Sequence, residues 1–284
     1  MGFGEYLKDY LKFNNISQSE FALRLNITQK HMNEILNGKT DISLDIALAI
    51  QKLTDIPVEF IVKSEYRRKI ENYLYLKFTE KELKEILKKR FYIKELEEKG
   101  WIKFNDITNL VQNYIDIFDF LKVRNFEALD KVNEKILFNK DKTNIDKLSL
   151  WIARCDNLTK DQNVKEYNRL DFDFIIEDLK KMFSDNIYDI EKIKSLLNSY
   201  GIYLVVEETL KGTNINGCFK VRLNNPAIYI DKKLLRKEEF YYELLHELGH
   251  CKSDYNEAKS KIIVEGNIKK EKRANDFWEK IIKK

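Results

Sequence analysis

The chain has 284 residues, 43% of them hydrophobic and 12% aromatic, which is enough apolar mass for buried cores and excludes disorder as a description of the whole. Its 51 basic and 47 acidic residues leave a net charge of +4, too weak a field to hold nucleic acid without local placement of groups. No apolar run has the length of a membrane span and the first residues show no basic-then-apolar leader, so neither membrane insertion nor export is expected.

The length suits two or three domains. Between Gly38 and Gly201 only Gly100 occurs, which points to helices and not to a turn-rich β-sandwich. Cys155, Cys218 and Cys251 share no motif spacing, so reduced thiols and a cytoplasmic location are expected. Residues 1–66 read as short, well-punctuated helices. The first covers Phe3 to Phe13. Ser17 caps the second, with Glu20 three positions on, and Phe21, Ala22 and Leu25 face inward. Thr28 caps a third helix, Gln29 to Leu36, stopped by Asn37-Gly38. Ser43 starts a fourth, and Pro57 marks the beginning of a fifth.

Residues 67–190 are predicted to form a charged helical middle, with apolar residues at three-to-four spacing such as Ile107, Leu110, Val111 and Tyr114. Its aromatics Trp101, Phe118, Phe120 and Trp151 read as core. The texture changes at Gly201. GIYLVVE, CFKVRL and AIYID have the β-branched and aromatic make-up of three strands. The helical period returns from residue 236 through His250, and a last helix is expected over 269–283.

Only three histidines occur, and two of them stand four apart in E-L-L-H-E-L-G-H. On a helix, His246 and His250 project from one face at a separation that one Zn²⁺ bridges. Glu247 lies beside them and can take a proton from a water whose pKa the metal has lowered. Two surface histidines would be the plain alternative, but Leu244, Leu245 and Leu248 embed the motif in apolar surroundings where unpaired imidazoles are costly. A catalytic site needs a third protein ligand. Asp254, Glu257, Glu265, Glu271, Asp276 and Glu279 are the carboxylates downstream. Glu271 is favoured because it opens the last helix, with Asn275 one turn on to orient a ligand histidine.

These elements carry resemblances at both ends. GIYLVVEE, NGCFKVRLNNPAIYID, YELLHELGH and EKRANDF together resemble the ImmA/IrrE family of metallopeptidase domains. The resemblance implies zinc on His246, His250 and Glu271, Glu247 as the catalytic residue, and a small zincin-like α+β fold with a strand such as 226–231 beside the cleft. After Phe277 the chain departs from the family's A-x-x-L-L-M-P continuation. The layout of residues 17–38 is that of a helix-turn-helix, and SQSEFALRLNITQKHMNEILNGKT is similar to the Cro/C1-type (XRE) family. That resemblance implies double-stranded operator DNA read by a homodimer. Thr28, Gln29, Lys30, His31 and Asn33 would lie on the outward face of the recognition helix, and Gln18 and Lys39 on phosphates. Residues 1–66 carry seven basic against nine acidic residues, so bulk charge does not assist. LTDIPVEFIVKSEYRRKI resembles the end of HigA-type antitoxin domains, and fusions of these to ImmA/IrrE domains carry a W-x-x-x-x-x-x-L stretch, here Trp151 to Leu158.

The expected architecture is mostly helical α+β: an all-α helix-turn-helix domain (1–66), a helical connector (67–190) and a small zincin-like α+β domain (191–284). The expected function is a DNA-binding regulator whose zinc peptidase cleaves a protein partner, whether repressor, toxin or itself. The alternative is a HigA-like antitoxin whose peptidase-like domain binds a toxin without cutting it.

Overall fold

The computed structural model describes residues 2–138, 143–185, 189–234, 237–264 and 268–282. Its contacts divide the chain into two compact units, Met1–Leu87 with Phe104–Asp116, and Lys88–Lys103 with Ile117–Lys284. This differs from the expected division at 66 and 190, because the helical middle does not stand alone. Residues 67–77 complete a 20-residue helix begun at Val58, and residues 136–137 form a strand in the C-terminal sheet.

The first unit is built from α1 (Phe3–Phe13), α2 (Gln18–Arg24), α3 (Gln29–Leu36), α4 (Leu44–Thr54) and α5 (Val58–Lys77), followed by α6 (Glu80–Lys89). The expected caps are present. Ser17, Thr28 and Ser43 each accept a hydrogen bond from the backbone N–H three residues on, at 3.1, 3.1 and 3.3 Å, satisfying donors that a helix start leaves free. Gly38 takes φ +64° and lets Lys39 N–H reach back to the Glu34 carbonyl at 2.8 Å, which closes α3 with the left-handed cap expected there. Pro57 stands just before α5 as its N-cap. The core joins Phe3, Leu7 and Leu11 of α1 to Phe21, Met32, Leu36, Ile50 and Ile61.

In the second unit, α7 (Ile93–Glu98), α8 (Leu110–Leu121, whose last residues belong here) and α9 (Phe126–Asn133) precede β1 (Ile136–Leu137). Then come α10 (Ile145–Leu158), α11 (Phe172–Ser184), α12 (Ile190–Ser199), β2 (Tyr203–Glu207), β3 (Gly217–Arg222), β4 (Asn225–Asp231), α13 (Lys237–Ala258), β5 (Ile262–Ile263) and α14 (Ile268–Ile282). The sheet runs β1-β5-β3-β4-β2. A two-residue turn, Leu223-Asn224 with φ 49° and 67°, joins β3 to β4 with the twist such hairpins need, and β2 lies parallel to β4.

Alternation along β4 sends Ile228 and Ile230 into the core beneath α13, with Phe219, Leu244, Leu245 and Leu248. It sends Tyr229 to the opposite face, against Trp151 of α10. Trp101, Phe118 and Trp151 are buried as expected, and Phe120 stacks on Trp101. All three cysteines are buried and unpaired. No helix among the described residues is long and apolar enough to cross a membrane.

Candidate metal centre and DNA-reading helix

His246, Glu247 and His250 occupy the middle of α13, and Leu244, Leu245 and Leu248 around them are fully buried. Burial makes α13 a rigid mount, since its apolar face is fixed by the sheet. Helix α14 crosses α13 at Gly249, where an added Cβ would sit 2.9 Å from the Ala274 Cα. Only the absence of a side chain permits that approach. It brings Glu271 and Asn275 onto the two histidines and Arg273 onto Asp254.

The ligand atoms of His246, His250 and Glu271 all lie within 4.8 Å of one another. The two Nε2 atoms are 3.2 Å apart, and Glu271 carboxylate oxygens lie 3.3 Å from His246 Nε2 and 3.5 Å from His250 Nε2. The far side of each ring is occupied by an acceptor: Asn275 Oδ1 at 3.0 Å from His246 Nδ1, and Asp254 Oδ2 at 2.9 Å from His250 Nδ1. In the neutral imidazoles these partners place the proton on Nδ1. Two Nε2 lone pairs and the Glu271 carboxylate then face one another, an arrangement that could hold a cation. Two ligands at Zn–N lengths of about 2.0–2.1 Å and a tetrahedral angle stand roughly 3.3 Å apart, so the observed spacings suit such an ion. Without a cation, burial would lower the His250 pKa, but its contacts with Asp254 and Glu271 and the charge of Glu247 outweigh that and raise it to about 10.

Glu247 is 1% exposed, and its Oε2 has no hydrogen-bond partner among the described residues. Burial, opposed by His250 and reinforced by Glu243 and Glu271, pushes its carboxyl well above the usual range. A polar cleft of about 270 Å³ opens beside the histidines, lined among others by Asn214, Asn216, Tyr242, Glu243 and Glu271. Gly217 forms part of its wall. A Cβ there would lie 2.5 Å from Glu247 Oε1 and 2.6 Å from Glu243 Oε1, so the glycine makes room for both carboxylates.

The structure thus brings together His246, Glu247, His250, Glu271 and Asn275. Among the competing carboxylates, Asp254 serves the Nδ1 side of His250, where Arg273 Nη2 holds its other oxygen at 2.7 Å. Glu257 pairs with Lys261 and Lys270, and Asp276 is exposed. Glu279 is not grouped with the two histidines. Glu265 lies outside the described residues. The role of Asp254 was readable in the sequence: four residues after His250, it stands on the same helix face. Strand 226–231 is not the cleft strand that was expected. It is β4, paired on both sides by β3 and β2, so its backbone has no free edge. The segment 214–217 leading into β3 lines the cleft instead.

In the first unit, α2 and α3 are joined by a turn with Asn26 at φ 54°. Thr28, Gln29, Lys30, Asn33 and Lys39 are exposed, whereas Gln18 and His31 are half-buried. Met32, Ile35 and Leu36 anchor the inner face of α3, leaving its outer face free to enter a groove.

Residues 7–61 match the family described as helix-turn-helix. No curated protein matches the chain. Among solved structures, a crystal structure of Bacillus thuringiensis PlcR in complex with the peptide PapR7 and DNA is similar at 14% identity and a TM-score of 0.23, covering 98% of this chain and 95% of that one. A likeness of that size carries no structural argument. The match, on the helices and caps described above, marks residues 7–61 as a helix-turn-helix of the DNA-binding kind.

Proposed function

We propose that the chain is a helix-turn-helix regulator whose C-terminal unit is a zinc metallopeptidase acting on a protein partner. That partner is a repressor, a toxin or the chain itself. The reading is carried by one observation: the lone-pair atoms of His246, His250 and Glu271 converge beside a buried Glu247 carboxylate with an unpartnered oxygen. His246, His250 and Glu271 would hold the ion, and Asn275 and Asp254 would fix the imidazoles. Bound Zn²⁺ supplies Lewis acidity to the scissile carbonyl and to an attacking water. Glu247 would take the proton of that water and deliver it to the leaving amine.

In the first unit, α3 would read double-stranded operator DNA in the major groove as part of a homodimer. Gln29 and Asn33 suit adenine, Lys30 suits guanine or phosphate, and Thr28 and His31 flank them. Gln18 and Lys39 would contact phosphates. Cytoplasmic placement accords with this role.

The test is digestion of a peptide library and of co-purifying proteins by the zinc-loaded chain, read by mass spectrometry. Cleavage is expected from wild type and lost in Glu247→Gln, with zinc retained in both. Absence of cleavage together with toxin binding unchanged by Glu247→Gln would replace the peptidase with the HigA-like antitoxin.

A further inference from the structure

Arg68 stands on α5, beyond the segment that matches the helix-turn-helix family, yet its guanidinium holds the end of α3. Its side chain is 15% exposed and pairs with the buried Glu65, Nη2 to Oε2 at 2.9 Å. Nη1 donates to the Gly38 carbonyl at 3.1 Å, and Nη2 to Asp41 Oδ1 at 2.7 Å. The Lys39 N–H donates to the Glu34 carbonyl at 2.8 Å. The peptide unit between Gly38 and Lys39 is therefore bonded at its oxygen by α5 and at its nitrogen by α3. Because that unit is planar, holding both its ends fixes the direction in which Lys39 leaves the helix. Asp41, the only carboxylate of residues 37–43, is shared between Arg68 and Lys69, at 2.7 and 2.8 Å. Lys39 is exposed, and no ion pair takes it up among the described residues.

We infer that Arg68 is a positioning residue for DNA binding: its clamp on Gly38 and Asp41 presents Lys39, unpaired, to a backbone phosphate. The same clamp keeps the carboxylate of that turn away from the phosphate. This positioning rests on the DNA-reading role of α2 and α3. An arginine suits the task because its fork reaches a carbonyl and two carboxylates at once, which one ammonium does not.

The experiment titrates the full chain into a short fluorescent duplex of random sequence, over a series of salt concentrations. Lys39→Ala should weaken binding roughly fivefold to tenfold at about 0.1 M salt and lower the salt slope by about one. Glu65→Gln with Arg68→Gln keeps the wild-type net charge and leaves no charge buried alone. This pair should lose roughly threefold or more, with the same fall in slope, and adding Lys39→Ala to it should cost little further. Arg68→Lys, also of unchanged charge, keeps a partner for Glu65 and should show the same loss in smaller measure. Thermal melts establish that each variant is folded at the assay temperature; a merely structural staple would move the melt and leave affinity and slope alone. Wild-type affinity and slope in a folded Arg68 variant, or a loss that simply multiplies with that of Lys39→Ala, would overturn the positioning role. A wild-type chain that binds no duplex would overturn it together with the DNA-reading role of α3, which tells the two failures apart.

Discussion

Replacing Asp254 with alanine tests how the proposed metal centre is held. Asp254 is 5% exposed and spans two partners, His250 Nδ1 at 2.9 Å and Arg273 Nη2 at 2.7 Å. In Asp254→Ala the Nδ1–H of His250, itself 1% exposed, loses its acceptor. Leaving such a donor unpaired costs about 1–3 kcal/mol. Arg273 rehydrates readily, its side chain being 45% exposed, and adds little. For a unit of roughly 150–250 residues, melting falls by about 2–4 °C per kcal/mol, so a drop of about 2–12 °C is expected in the metal-free protein. Freed of its partner, the ring also loses its fixed tautomer and orientation, which lowers metal affinity by about 10–100-fold. Chelator competition at fixed pH measures the affinity, and a thermal melt measures the stability. Asp254→Asn keeps an acceptor oxygen and should lose less of both. Wild-type zinc affinity in Asp254→Ala would refute the orienting role, and a loss as complete as that of His250→Ala would make Asp254 a ligand.

Other consequences concern the glycine wall, the histidine charge and the DNA. Gly217→Ala should cost about 1–3 kcal/mol through overpacking and displace Glu247 and Glu243, so zinc is retained while cleavage falls; cleavage at the wild-type rate would show the carboxylates are free to move. In the metal-free protein His250 titrates near 10 against 6.5 for the unperturbed group, so its contribution to stability is full below pH 6.5 and disappears as pH rises to about 10. The difference in melting temperature between wild type and His250→Gln should therefore shrink over that window, and a constant difference would contradict the assignment. Lys39→Ala should weaken binding to all DNA sequences alike and lower the salt slope by about one. Gln29→Ala should cost about 1–3 kcal/mol at the specific site alone, and equal losses on specific and random DNA would take Gln29 off the base edges.

Much of this was legible because it is local. Ser17, Thr28 and Ser43 announce helix starts through chemistry confined to three or four residues, and His246, His250 and Glu247 share one helix. The three longer strands are evident from their apolar, β-branched residues. Strands β1 and β5 are two residues each and pair across 126 positions, Ile136 with Ile262; so short a strand has no period to read. That pairing is why part of the middle belongs to the C-terminal unit. The placement of β4 at the sheet centre likewise depends on pairings on both its edges, which its own residues do not encode. Glu243 was missed as one acid among many, since its significance comes from burial beside Gly217. The final helix shows both cases: Glu271 and Asn275 were readable by spacing, while Arg273 acts through Asp254, a contact between α13 and α14 that only the crossing at Gly249 creates.

His246, His250 and Glu271 are proposed to hold a zinc ion. Elemental mass spectrometry of the purified full chain, with His246→Ala and Glu271→Ala beside it, tests this directly. About one zinc per chain is expected in wild type, with the metal lost or readily stripped in both variants. A wild-type chain that takes up no zinc even when it is supplied would rule out the metal centre and leave a helix-turn-helix protein without one.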